Sequence, residues 1–278
     1  MDDRTYEVLE TTSGIDQVTL NTKCREAGAA FAEWWEEEHD TWTLEGWKLK
    51  ESVKGNWTRK TVNGVRLATS TLNMMQLSVS GQNAGRCNCL FHLNGLTCSR
   101  IDLQVTLLMS EERRIDLMNM YKYLRNANSE GSLRASVSTT VSDTGQTVYV
   151  GKRQSGLMIR VYDKGMQMET HGSGMLVRWE VEYRKRKADV VFNILRSSEH
   201  LQSTARSMVV GEMRKRGIFM PQFDYASATR LEFGKKLSDS ARQLHWLNSQ
   251  VRPVIDELRS AGMTEEVSSV LGVEKWRM

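Results

Sequence analysis

Proline and cysteine are scarce in this chain. Two prolines and 4 cysteines in 278 residues exclude a collagen-like or proline-rich low-complexity protein. They also argue against the dense disulfide framework of small secreted domains. Cys24, Cys87, Cys89 and Cys98 lack the paired C-x2-C spacing of a zinc ribbon. Reduced thiols are expected, with a zinc site built from Cys87, Cys89, Cys98 and His92 as the alternative. Long apolar runs are missing too: no window reaches the roughly 18 residues that a membrane-spanning helix needs. The opening MDDRTYEVLETTSG is acidic and polar, unlike a secretory leader or an Arg-rich transit peptide. A cytoplasmic protein is the expectation. A dominant charge sign is likewise absent, since 38 Lys and Arg against 34 Asp and Glu leave only +4. The distribution says more than the sum. EWWEEEHD at 33–40 is an acidic block, whereas RKRK at 184–187 and RKR at 214–216 are basic runs. Such runs fit either a polyanion-binding face or a solvated helix start.

What is present supports a packed fold. Apolar residues make up 40%, and a chain of this length can bury roughly three-quarters of its unfolded surface. IDQVTL at 15–20, MQLSVSG at 75–81 and SRIDLQVTLLM at 99–109 read as strands from alternation and β-branched content. Asn63-Gly64 is a two-residue hairpin signal. QTVYVGKR (146–153), GLMIRVYDK (156–164) and MLVRWEVEYR (175–184) read as successive antiparallel strands. Helices are predicted at 22–39, at 110–126 with Ser110 as N-cap, and at 187–199. ARQLHWLNSQVRPVIDELRSAGM reads as an amphipathic helix pair broken near Pro253. The expected class is α+β: a mainly antiparallel central sheet with packed helices and a helical C-terminal region. The expected division is 1–200 for a catalytic domain and 201–278 for a helical accessory region. Trp34, Trp35, Trp42 and Trp47 are expected to pack rather than stack on bases.

Carboxylates on apolar strands are the informative feature. Asp102 sits between Ile101 and Leu103, Asp163 ends the MIRVYD strand, and Arg160 alternates to the face opposite Asp163. Arg178, Glu180 and Glu182 share one face of their strand, with Trp179, Val181 and Tyr183 on the other. A charge in a central strand must be paired or bound to a metal. Two readings stand side by side: carboxylates converging on Mg2+ or Mn2+, or ion pairs with Arg100, Arg160 and Arg178.

The ordered blocks GIDQVTL, MQLSVSGQ, SRIDLQVT, TVYVGKRQSGLMIRVYDKG and VRWEVEYRKRKA resemble the replication initiation factor family. Those are rolling-circle initiators of staphylococcal-type plasmids and filamentous phages, together with related conjugative relaxases. The likeness spans about residues 14–265, and HWLNSQVRPVIDELRSAGM is similar to the tail of phage-type members. It implies a nicking-joining enzyme. A tyrosine attacks an origin phosphodiester and becomes linked to the 5′ phosphate, and the freed 3′ hydroxyl primes synthesis. A divalent ion (Mg2+ or Mn2+) held by carboxylates polarises the phosphate. Carried over by position, Asp102, Asp163 and Glu180 match the family's acidic residues, with Glu182 as a further ligand. Thr106 stands where a second Asp is frequent. Arg160, Lys164 and Arg178 match basic positions facing phosphate, and Arg184, Lys185, Arg186 and Lys187 extend them along the DNA path. Two tyrosines compete as nucleophile. Tyr183 lies beside the R-x-E strand motif, but strict alternation turns it away from Glu180 unless a bulge intervenes. Tyr162 is the second candidate. No His pair shows H-x-H or H-x3-H spacing, so the two-histidine cluster of other rolling-circle nucleases is absent. Origin DNA is the implied partner, with room for a homodimer and a host helicase. A conjugative relaxase and a DNA-binding protein without cleavage are the alternative functions.

Overall fold

The structure is a computed structural model that describes residues 8–110, 114–143, 145–168, 174–221 and 251–263. The chain divides into two compact units, Met1–Leu231 and Glu232–Met278. The first unit carries ten strands in one sheet, ordered β2-β3-β4-β5-β1-β6-β10-β9-β8-β7. The strands are β1 (Val8–Thr22), β2 (Lys50–Lys54), β3 (Trp57–Val62), β4 (Val65–Ser70), β5 (Met75–Ser80), β6 (Leu96–Ser110), β7 (Val137–Ser142), β8 (Gly145–Lys152), β9 (Leu157–Asp163) and β10 (Gly174–Arg184). Every pairing is antiparallel. The α+β class expected from alternation is the class observed.

The two-residue period sorts the central strands into two faces. Ile101, Leu103, Val105, Leu107 and Met109 of β6 are fully buried, as are Val177, Trp179, Val181 and Tyr183 of β10. That face packs beneath two helices, α4 (Arg186–Arg196) and α5 (Leu201–Lys215). They bury Val191, Phe192 and Leu195, and Met208, Val209 and Met213, in return. The Trp179 indole N–H donates to the Phe219 carbonyl at 3.2 Å, so this large ring enters the core with its polar atom satisfied. Because α5 packs on β1 and β6, residues beyond 200 belong to the sheet unit, and the division falls after Leu231.

Local rules explain the remaining elements. Asn63 and Gly64 take positive φ (42° and 73°) between paired Val62 and Val65, as a two-residue hairpin requires. The helix expected from Ser110 starts later. β6 continues to Ser110, paired with Gly174, and the helix α2 (Leu117–Ser129) is capped by Asp116, whose side chain accepts from the Asn119 amide at 2.9 Å. The long apolar run of β6 outweighs the Ser110 signal, and Asp is an equally good cap. The helix α1 (Arg25–Leu44) buries Trp34, Trp35 and Trp42, with Trp42 edge-on to Trp34 and Trp35 at 6.1 and 6.0 Å. Packing is thus their role, whereas Trp47 is half exposed. All four cysteines are free. Burial pushes the Cys87 thiol up to about 12 and Cys98 higher still.

In the second unit, a helix α6 (Arg252–Ser260) opens with proline in its first turn, where the missing N–H costs nothing. The ARQLHWLNSQ half of the expected helix pair lies outside the described residues.

Candidate active site on the polar face of the sheet

The second face of β6, β9 and β10 is a lattice of charge. Register sets it: Glu182 opposes Asp102 and Met158, Glu180 opposes Gln104 and Arg160, and Arg178 opposes Thr106 and Tyr162. A bulge in β1 between Ile15 and Gln17 adds Asp16 to the same face. Its carboxylate meets an Arg178 Nη at 2.6 Å.

Asp102, Glu180 and Glu182 are essentially inaccessible, and guanidiniums cover them. Arg100 grips both Asp102 oxygens at 2.9 and 2.5 Å and reaches Glu182 at 3.2 Å. Arg160 bridges Asp102, at 3.3 Å, and Glu180. Arg184 pairs with Glu182, and Arg153 approaches the same oxygen at 3.5 Å. Arg178 donates its Nε to the Thr106 hydroxyl at 2.9 Å, so Thr106 receives an arginine where a second Asp was considered. Of the two readings open from sequence, ion pairing is the geometry observed.

Each carboxylate responds to its surroundings. Burial raises Glu180 to about 7, with Arg160 opposing and Asp102 and Asp16 adding to the rise. Asp102 is also raised, by burial first, against the pull of Arg100. Burial alone would raise Glu182, but its hydrogen bond from Arg184 and the charges of Arg100, Arg184 and Arg153 hold it below the usual range. Glu180 is therefore a carboxylate able to trade a proton near neutral pH.

Tyr162 joins this carboxylate. Its hydroxyl donates to the Glu180 oxygen not used by Arg160, at 3.2 Å. Burial, followed by the Glu180 charge, pushes the phenol well above its ordinary range, with Arg178 pulling the other way. Lys164 stands at the Arg178 end, its Nζ on the Gln167 side chain at 2.9 Å. Burial and the Arg178 charge push its ammonium down.

Other candidate residues lie elsewhere. β10 runs to Arg184 without a bulge, so Tyr183 keeps strict alternation. It is fully buried on the helix-covered face, where burial and Glu212 of α5 raise its phenol strongly. Asp163 is turned away from Glu180 as well. Its side chain accepts from the Met166 amide at 3.1 Å and caps a short helix, α3 (Lys164–Gln167). Lys185 and Arg186 are exposed at the start of α4 and Lys187 is half-buried there. Sequence reasoning passed over Tyr149, which opposes Arg160 from β8 and so shares the polar face. Alternation within QTVYVGK was the available signal. It also passed over Asp16, which only the bulge turns toward Arg178.

Among the described residues, no group of three or more His, Cys, Asp or Glu is disposed to hold a metal ion. Every carboxylate oxygen of Asp102, Glu180 and Glu182 already accepts from a guanidinium or from Tyr162. As arranged, this set does not fit Mg2+ or Mn2+, which need free oxygens. A divalent ion reaches these oxygens only by displacing one of the guanidiniums or the Tyr162 hydroxyl.

Lys185 holds one backbone oddity, with φ 56° and ψ −139°, a region that non-glycine residues rarely adopt. Lys185→Gly should relieve about 1 kcal/mol of strain and raise Tm by about 2–4 °C, read by thermal unfolding. An unchanged or lower Tm would show the conformation to be unstrained.

Residues 110–271 match the model of the replication initiation factor family, more than half of the chain. The chain belongs to the replication initiation factor family. The matched stretch of this initiation factor includes Tyr149, Arg160, Tyr162, Glu180 and Glu182, and it begins after Asp16 and Asp102. A solved rolling circle replication initiator protein from Geobacillus stearothermophilus is similar over 74% of this chain and 86% of its own, at 15% identity and a TM-score of 0.47. No curated protein matches the chain closely enough for comparison. No described helix of the initiation factor is long and apolar enough to cross a membrane.

Proposed function

We propose that this initiation factor nicks and rejoins origin DNA in rolling-circle replication, with Tyr162 as nucleophile and Glu180 as its base. The observation that carries this reading is the Tyr162–Glu180 hydrogen bond of 3.2 Å. It joins a phenol that must lose a proton to a carboxylate raised to about 7, the value suited to a base at neutral pH. Glu180 takes the phenolic proton as the Tyr162 oxygen attacks phosphorus. The bond from phosphorus to the 3′ oxygen breaks, and that oxygen leaves as a hydroxyl by taking a proton from solvent water. The 5′ phosphate stays on Tyr162, and reversal of these steps rejoins the strand. Arg178 and Lys164, beside Tyr162 at the end of the cluster, offer positive charge to the non-bridging oxygens. Arg160 holds the Glu180 carboxylate in place.

The test is cleavage of a supercoiled plasmid carrying the element's own origin, with Mg2+, with Mn2+ and with a chelator. Mass spectrometry then maps any tyrosyl-DNA adduct. An adduct on Tyr162 is expected. An adduct on Tyr149 or Tyr183 would keep the class and replace the nucleophile.

A second reading has its own observation. Thr106 and the arginine-saturated carboxylates suit a protein that binds origin DNA without cutting it. Tight, sequence-specific binding with no nick under any of the three conditions would establish it.

The exposed start of α4 supports a DNA contact. Reversing the charges of Lys185 and Arg186 should weaken binding and lower the slope of log K against log salt by about 2 for duplex DNA. Anisotropy titrations at several salt concentrations measure this, and an unchanged slope removes the two residues from the DNA path.

A further inference from the structure

The basic runs at 184–187 and 214–216 are separate in sequence but meet in the fold. A cavity of about 710 Å³ lies where the β8–β9 turn meets the start of α4 and the end of α5. Arg134, Lys152, Lys187, Lys215 and Arg216 line it, and none of the lining residues is Asp or Glu. Glu212, outside the lining, pairs with Arg216. Burial, then the charges of Arg216 and Lys215, push the Lys187 ammonium down against the opposing pull of Glu212. Cations held this close repel one another, so an anion entering the cavity relieves a cost already present. The backbone is shaped for the arrangement. Gly151 takes φ 93°, and a Cβ there would meet the Leu157 carbonyl oxygen at 2.8 Å. Only glycine turns the chain here and places Lys152 on the rim. Lys187 is the second residue of α4, whose start carries no side-chain cap.

We propose that this cavity is a phosphate subsite that takes a phosphodiester of single-stranded DNA at a fixed offset from the nick. The proposal rests on the nicking reading above and adds to it where the strand runs. Leu157 lines the cavity and lies on β9 with Tyr162. They lie five steps apart on opposite faces of β9, so roughly 17 Å at 3.3 Å per residue is the least span between the two sites. The size suits a nucleotide unit, since sites for small organic ligands run from about 300 to 1,000 Å³.

The experiment uses the full chain and fluorescein-labelled single strands centred on the nick, trimmed stepwise from either end. Lys152→Gln, Lys215→Gln and their combination are compared with wild type and with Lys122→Gln, an exposed lysine on α2. Each single cavity variant should weaken binding of the long strand severalfold and lower its salt slope by up to about 0.7, and the combination by more than either. Lys122→Gln should do neither. On strands trimmed back to the nick on the side that reaches the cavity, cavity variants and wild type should bind alike. Equal binding of all strands by variants and wild type overturns the proposal. So does a loss that persists undiminished on the shortest strands, because that marks a diffuse field rather than a subsite. Unfolding curves of the variants exclude misfolding as the cause. Adduct formation by wild type is followed in parallel. Its absence defeats the nicking reading, whereas its presence with unaltered variant binding defeats the subsite alone.

Discussion

Tyr162→Phe should abolish the covalent protein–DNA adduct and lower nicking by about a thousandfold or more, while Tyr183→Phe leaves nicking within about threefold of wild type. The contrast follows from the two faces of the sheet. Tyr162 opposes Arg178 on the polar face and donates to Glu180. Tyr183 opposes Ile101 and Leu157 on the other face, sealed beneath the helices with no accessible surface. A nucleophile must reach a phosphorus atom, so burial decides before chemistry does. Phe at 162 keeps the ring and removes only the oxygen that bonds to phosphorus, so no other side chain inherits its role. Binding to the origin should survive, because the guanidiniums around the site stay in place. The assay is a gel for nicked circles beside denaturing electrophoresis for the adduct, with anisotropy as the binding control. Full nicking by Tyr162→Phe would remove Tyr162 from the chemistry and move attention to Tyr149.

Much of this architecture was legible in the residues, and the reason is periodicity. β10 reads VRWEVEYR, and its alternation separates Glu180 and Glu182 from Trp179, Val181 and Tyr183 in the fold as it does on paper. The Asn63-Gly64 turn and the burial of the α1 tryptophans follow from equally local rules. What alternation cannot supply is partnership across strands. Whether Asp102 faces a metal or an arginine depends on Arg100 beside it and on Arg160 two strands away, a fact of register. Asp163 looked like a member of the acidic set because it ends a strand, yet position i of a short helix suits the same side chain as a cap. Asp16 escaped notice because an inserted residue in β1 reverses the face that simple alternation assigns. Tyr183 went the other way: no bulge rescued it, and the buried face that alternation assigned is the face it occupies. Residues whose role depends on one strand were readable; those whose role depends on a bulge, a cap or a neighbour's charge needed the fold.

The pH dependence of nicking gives the second large effect and probes the base. Glu180 must be ionised to accept the Tyr162 proton, and burial has raised its carboxyl to about 7. Below that value the ionised fraction falls tenfold per pH unit, so the rate should climb from pH 5.5 and level off above about 7.5. Tyr162 adds no descending limb in this range, because its phenol lies above its ordinary value of 10. Glu180→Gln keeps a single acceptor oxygen, enough for Arg160 or for the Tyr162 hydroxyl but not for both, and cannot take a proton. Nicking by this variant should fall by about 10²–10⁴ at pH 8, and its residual rate should be flat with pH. The same group leaves a mark on stability with a defined sign. A carboxyl raised on folding binds its proton more tightly in the native state. From about pH 4.5 up to about 7, the native state therefore holds a proton that the unfolded state has lost, and stability falls as pH rises. The slope from this one group is at most about 1.4 kcal/mol per pH unit. Glu182, held low by Arg184 and Arg100, acts in the opposite direction: its contribution is present above the usual carboxylate range and is lost as pH falls below it. Thermal unfolding from pH 4.5 to 8 should thus show a steeper decline for wild type than for Glu180→Gln. Loss of nicking together with a flattened stability curve would place both effects on one carboxylate. A wild-type rate that does not vary between pH 5.5 and 8 would remove Glu180 as the base.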